Sequence, residues 1–359
     1  MADWIATTAE LDASLSEPHA GPVALDTEFI REKTYYPQLA LVQVALGETI
    51  LLLDPLALGA AKPLCDLLRG PALKLMHSPS EDLQTFKHHY GVLPRPLFDT
   101  QVAAALTGLG AGLGYQALIE KLLGIRLEKG ETRSDWMRRP LSESQLTYAA
   151  DDVRHLAAAH VLLEQKLRSL GRLSWLTEEC TRQLAGAERD DIDPQPHLTM
   201  RSAQRLRPEQ QARLRRLLIW REGEARRSDK PKSWIIDNEL VVELAQREFA
   251  SRAEFETLLD ARPRSPRRAR DELWECVVRP LQGEELDIPL AETPDPRWRE
   301  PLKKMQDAVA GIATELELPE GLLCARRHLE TLIASRRWPR ALEGWRQPLL
   351  EPALSPLLG

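Results

Sequence analysis

Apolar residues near the amino terminus cluster in three short runs: 22–29, 39–46 (LALVQVAL) and 49–53. Each is the length of a strand and is bounded by turn-forming residues. The link at 46–49, Leu-Gly-Glu-Thr, is short enough for a hairpin, which predicts a sheet of mixed direction. Before these runs, 7–16 has a helical pattern entered from Thr7 or Thr8. After them the pattern predicts a helix over 56–69, a strand over 73–78, a helix from Ser80 to about Tyr90, a short strand at 96–100 and an alanine-rich helix at 100–107. Glycines at 108, 110, 112 and 114 mark a connection. Beyond it the period is helical: 115–123, a polar loop over 124–141, one long helix from Ser142 to about Leu170, and another at 172–187. Ser142 with Gln145 forms a capping-box pair that signals where the long helix starts.

The stretch ERDDIDPQP (188–196) is charged and Pro-containing and reads as a linker. After it, 199–280 is helical throughout, with a helix from Pro208, an N-cap at Asp237 and a capping pair at Ser251 and Glu254. A Pro- and acid-rich stretch over 282–300 precedes a last helical module at 301–317, 319–334 and 338–344. The expected domains are therefore 1–190, 199–281 and 293–359, which suits a chain of 359 residues. The two helical modules have the look of weakly related copies.

Composition narrows the class. The chain is 43% hydrophobic and 28% charged, and it contains no apolar run near the ~20 residues a membrane helix needs. The first residues show neither a basic nor an apolar signal segment, and Cys65, Cys180, Cys276 and Cys324 are too scattered for zinc or a disulfide framework. A cytoplasmic protein without membrane association is expected, and nothing in the chain identifies a protein partner. Residues 201–280 hold 19 Lys/Arg against 14 Asp/Glu, a local +5, while the whole chain is −6 and the remainder therefore −11. A basic module on an acidic body suits polyanion binding, and equally a solvated Arg-rich surface.

The candidate chemistry lies in VALDTEF (23–29). Asp26 and Glu28 are two apart on a strand, so both point to one face. Two carboxylates there either face water or share a hard divalent cation such as Mg²⁺ or Mn²⁺. Two further pieces change the balance. Asp82 stands in the first turn of the helix after a strand, beside Glu81, and TYAADDVRHL (147–156) sets Tyr148 and Asp152 four apart on one helical face, with Asp151 on its flank.

This set (D-x-E on a strand, an acid on a later strand–helix, and Y-x-x-x-D on a helix) resembles the three motifs of the DEDDy-type 3′–5′ exonucleases. ALDTEFIREKTYYPQLALVQVA (24–45), HSPSEDLQTF (77–86), PLFDTQ (96–101), ETRSDWMRRPL (131–141) and YAADDV (148–153) are similar to the ribonuclease D family, and GLLCARRHLETL (321–332) and LEGWRQPLL (342–350) to its HRDC domains. The exonuclease motifs are the specific part, and the HRDC match is looser.

The resemblance implies an α/β exonuclease domain of the RNase H-like, DnaQ-type class with a mixed sheet, then two small all-α HRDC-type domains, the second divergent. It implies two divalent cations, Mg²⁺ or Mn²⁺, about 3.5–4 Å apart. Asp26 would bridge them, Glu28 and Asp152 would hold the ion carrying the water, and Asp82 would support the other. Tyr148 would orient the attacking water, since a free phenol with a pKa near ~10 is a poor base at neutral pH. The Y-x-x-x-D spacing favours Asp152 over Asp151 as ligand. The implied activity is release of 5′-mononucleotides from a single-stranded RNA 3′ end, with tRNA precursors and other stable RNAs as substrates. Aromatic and basic types suited to such an end are Phe29, Arg31, Lys33, Tyr35, Tyr36, Gln38, Arg133, Trp136, Arg138 and Arg139, with Phe29, Tyr35, Gln38, Arg133, Trp136 and Arg139 as the substrate-binding candidates. Deleting 199–359 is expected to spare the chemistry and weaken binding of structured RNA. The rival readings are a DNA exonuclease of similar fold and a silent RNA-binding scaffold; retention of all four acids and the tyrosine argues against the scaffold.

Overall fold

A computed structural model describes residues 2–16, 19–128, 130–131, 134–262, 265–293 and 295–358. Six strands form one mixed sheet: β1 (Ala2–Ile5), β2 (Val23–Ile30), β3 (Gln38–Leu46), β4 (Thr49–Leu53), β5 (Lys74–Met76) and β6 (Leu97–Asp99). Their order is β1-β4-β3-β2-β5-β6. The β2–β3 and β3–β4 pairs are antiparallel, and the β1–β4, β2–β5 and β5–β6 pairs are parallel. Val23, Leu25, Leu41, Val42, Val44, Leu51, Leu53 and Leu75 are fully buried, which fixes β2 near the middle of the sheet. β1 is an addition to the sequence expectation: four residues of ADWI give too little alternation to announce a strand.

The helices around the sheet are α1 (Thr8–Ser14), α2 (Pro55–Leu58), α3 (Lys62–Arg69), α4 (Ser80–Tyr90), α5 (Thr100–Leu106), α6 (Tyr115–Leu123), α7 (Glu143–Arg154), α8 (Leu156–Ser169) and α9 (Leu173–Glu188). Two expected helices are divided. The 56–69 helix is split into α2 and α3, where Gly59 takes φ +58°. The long helix breaks at His155 into α7 and α8, with no Gly or Pro to mark it. Tyr115 supplies the cause: its hydroxyl accepts the His155 N–H (3.3 Å) and donates to the Asp151 carbonyl (2.8 Å), replacing helical partners at the junction. The capping box at the start of α7 forms as expected, with Gln145 N–H on Ser142 Oγ (3.2 Å) and Ser142 N–H on Gln145 Oε1 (2.9 Å).

Two compact units result. The first comprises 1–30, 38–189 and 296–359, and the second 31–37 and 190–295. The last segment shares a core with the sheet domain. It contains α15 (Arg299–Glu315), α16 (Glu320–Leu323), α17 (Arg326–Ser335) and α18 (Gln347–Leu354). Trp345 stacks on Trp175 of α9 at 4.6 Å between centroids and 13° between planes. Trp345 Nε1 donates to Glu179 (2.8 Å), whose carboxylate also pairs with the nearly buried Arg346 guanidinium. Arg172 donates to the carbonyls of Leu106 and Leu316 at 2.8 and 2.7 Å. Gly344 takes φ +72°, in the left-handed region that favours glycine, and a Cβ there would displace the Glu178 carboxylate.

The second unit holds α10 (Pro208–Ser228), α11 (Lys232–Ile235), α12 (Asn238–Gln246), α13 (Arg252–Asp260) and α14 (Arg270–Val278) around Leu214, Leu217, Ile236, Leu240, Phe255 and Leu273. Asp237 and Ser251 cap α12 and α13, as the sequence indicates. Among the described residues, no helix is long and apolar enough to cross a membrane.

Candidate active site

β2 presents Asp26 and Glu28 on one face of the sheet, and α7 packs on β2, β3 and β4 across that face. Carboxylate oxygens of Asp26, Glu28 and Asp152 lie within 4.8 Å of one another. Thr27, between the two acids, points the other way and donates its hydroxyl to Asp82 Oδ1 in the first turn of α4. Asp82 is buried, and its charge makes ionisation of both Asp26 and Glu28 more costly. Strand β2 thus ties all four acids into one electrostatic cluster.

The cluster is strained as an anion. Burial, and then the charges of Asp82, Asp152 and Glu28, hold Asp26 well above the usual carboxylate range. Burial and the charges of Asp152 and Asp82 push Glu28 up to about 9. Asp152 is raised to about 7 by burial and by Asp151, against a hydrogen bond from Tyr148 that pulls it down. Asp82 is raised to about 6 by burial, opposed by the Thr27 hydroxyl. Three half-buried carboxylates whose oxygens converge, with the charge of Asp82 adding to their mutual repulsion, fit a hard divalent cation.

A pH dependence follows. In the unfolded chain these carboxyls are ionised above about pH 4–5, whereas in the metal-free folded protein the cluster keeps protons up to about pH 7–9. The native state therefore binds more protons than the unfolded one, so metal-free stability falls as pH rises. The slope is at most about 1.4 kcal/mol per pH unit for each retained proton. Urea unfolding in EDTA at pH 6, 7 and 8 should show this decline, and saturating Mn²⁺ should abolish it, because its ligands bind deprotonated, as they also are in the unfolded chain over this range. A flat metal-free profile would remove the basis for a strained cluster.

Supporting groups hold the helices in place. Asp99 Oδ1 caps α5 through Gln101 N–H (2.8 Å) and accepts the Ser78 N–H (3.0 Å), fixing the turn that leads into α4 and Asp82. Tyr115, at the α7–α8 break, fixes the backbone beside Asp152. Sequence reasoning passed over Thr27, Asp99 and Tyr115. The Asp-Thr sequence of PLFDTQ, a ready N-cap, was the one available signal.

The remaining expected residues separate. Asp151 turns from the cluster to Arg154, 2.8 Å away, and is partly exposed. Phe29 is half-buried at the end of β2, beside a bulge, and Gln38 is exposed at the start of β3. Three substrate-contact expectations are corrected. Trp136 is 2% exposed and packs 6.0 Å from Tyr148, so its ring has no free face for a base. Arg139 is a bidentate clamp on buried Asp54 (2.9 and 2.7 Å), also bonded to the Ala40 carbonyl (2.7 Å) and lying over Trp4. Tyr35 belongs to the second unit, where its hydroxyl bonds Glu222 and its ring is flanked by Arg31, Arg226 and Lys232. Arg133 lies outside the described residues.

The chain matches known proteins over its whole length. Residues 2–169 match the family described as 3′-5′ exonuclease, and 210–277 match the HRDC domain. The chain is 51% identical over 359 residues to Ribonuclease D of Xanthomonas oryzae pv. oryzae, covering 100% of this chain and 99% of that one. It is 36% identical over 362 residues to Ribonuclease D of Pseudomonas paraeruginosa, covering 98% and 96%. Among solved structures, the crystal structure of Escherichia coli RNase D, titled an exoribonuclease involved in structured RNA processing, superposes with a TM-score of 0.86 at 30% identity, covering 100% and 98%.

Proposed function

Because the chain belongs to the ribonuclease D family and is a 3′–5′ exoribonuclease acting on RNA, we propose that Asp26, Glu28, Asp82 and Asp152 form its metal site and that tRNA precursors are among its substrates. The observation that carries the site is the convergence of three carboxylates within 4.8 Å, with Asp82 tied in through Thr27. Divalent metal dependence follows from this donor set, and two ions, Mg²⁺ or Mn²⁺, match the four acids. Such ions, when bound, supply charge stabilisation for the scissile phosphate and a water of lowered pKa.

The chain's own groups do the positioning. Tyr148 donates its hydroxyl hydrogen bond to Asp152, which leaves its oxygen lone pairs to accept from the attacking water and aim it at the phosphorus. Asp151, held by Arg154, stays out of the ligand set. Phe29 and Gln38, at the mouth of the β2–β3 pair, are the substrate contacts that remain from the sequence reading, and the HRDC segment 199–281 holds RNA through phosphate contacts. Release of 5′-mononucleotides and work in the cytoplasm complete the proposal.

A precursor tRNA with a short 3′ trailer tests the substrate class. Stepwise loss of the trailer, slowing at the base-paired acceptor stem, is the expected pattern. Indifference to this RNA, with rapid trimming of an unstructured one, would remove tRNA precursors from the proposal.

A further inference from the structure

We propose that Gln43 is a positioning residue for Asp26 and for the hydration shell of the cation held there. Gln43 is 0% exposed, yet neither its amide nitrogen nor its amide oxygen has a hydrogen-bond partner. Leaving a buried amide unpaired costs about 1–3 kcal/mol, and a Leu or Met would fill the space without that cost. The register shows what the amide is beside. Gln43 on β3 is the direct cross-strand partner of Asp26 on β2. Directly paired residues point to the same face, with Cβ atoms about 4.5–5.5 Å apart. That is the face on which Asp26 and Glu28 meet Asp152, with α7 packed over β3.

An amide in this place offers an NH₂ group that donates and a carbonyl oxygen that accepts. The Nε2–H group donates to the Asp26 carboxylate oxygen not directed at the cation, fixing the rotamer of the acid at the centre of the cluster. The Oε1 atom is left to accept from a water in the cation's shell. Both orphaned atoms are satisfied only when the site is loaded, so the amide couples cation binding to the register of the β2–β3 pair. Leu52, the other cross-strand neighbour of Gln43, has no polar side chain to offer.

This inference rests on the metal-site reading above, and the test separates the two. Mn²⁺ binding to the full chain is measured by titration calorimetry without RNA, for wild type and Gln43→Met, alongside melting of each protein in EDTA. Removing an outer-shell partner of a metal ligand weakens affinity about 10- to 100-fold. The expected result is a loss of that size, while the metal-free melting temperature of Gln43→Met stays equal to or above that of wild type. A merely structural glutamine gives the opposite pattern: lower metal-free melting and unchanged Mn²⁺ affinity, which overturns the inference. Should Gln43→Met fail to fold, Gln43→Asn, which keeps the amide but withdraws it by one methylene, is expected to show the same weakened affinity, and unchanged affinity there also overturns it. Wild type that binds no Mn²⁺ overturns the metal-site reading, and this inference with it.

Discussion

Asp152→Asn is expected to lower exonuclease turnover by about 10³-fold or more, while Asp151→Asn leaves it within about threefold. The two residues are adjacent and chemically identical, so only geometry separates them. Asp152 converges with Asp26 and Glu28 and holds the Tyr148 hydroxyl. On the proposed assignment Asp152 is a cation ligand that also holds the water-orienting Tyr148, and its loss removes several kcal/mol of transition-state stabilisation; about 4 kcal/mol is a thousandfold. Asp151 makes a partly exposed pair with Arg154, which is worth under about 1 kcal/mol. Its charge also raises Asp152, so neutralising it eases deprotonation of the ligand. Single-turnover rates at saturating Mg²⁺ decide the matter, and the reverse ranking would reassign the ligand.

Removing 296–359 is expected to lower the melting temperature of the catalytic unit by about 10–20 °C. The sequence reading expects removal of 199–359 to spare the chemistry; the packing of this last segment bears instead on the stability of the unit that carries the acids. Trp175 loses the stacked face of Trp345, Glu179 loses Arg346 and the indole N–H, and Arg172 loses the Leu316 carbonyl. Breaking one buried ion pair alone costs about 3–5 kcal/mol. In a unit of this size each kcal/mol is worth about 2–4 °C. Differential scanning calorimetry of the chain ending at residue 295 measures the shift, and an unchanged transition would show that 296–359 contributes nothing to the unit's stability.

The convergence of the acids was readable because they sit in regular elements whose periods fix direction. D-x-E on a strand must share a face, and Y-x-x-x-D on a helix must share another, so their convergence needed only the fold. The Ser142 cap was legible for the same reason, being a local pair. What depended on distant partners was not. The α7–α8 break needs Tyr115, forty positions earlier in the chain, to take over the His155 N–H. Trp136, Arg139 and Tyr35 have the residue types of an RNA platform, but those types also serve packing and ion pairing. Only the positions of Tyr148, Asp54 and Glu222 show which use was made of them.

The most direct measurement is a time course on a 5′-labelled single-stranded RNA with Mg²⁺, beside the identical DNA sequence and the Asp26→Asn protein. A ladder shortening by one nucleotide at a time from the 3′ end, on RNA and lost with Asp26→Asn, is the predicted result. An uncut RNA that is nonetheless bound, or a ladder that survives Asp26→Asn, would contradict the assignment of the carboxylate cluster as the centre of catalysis.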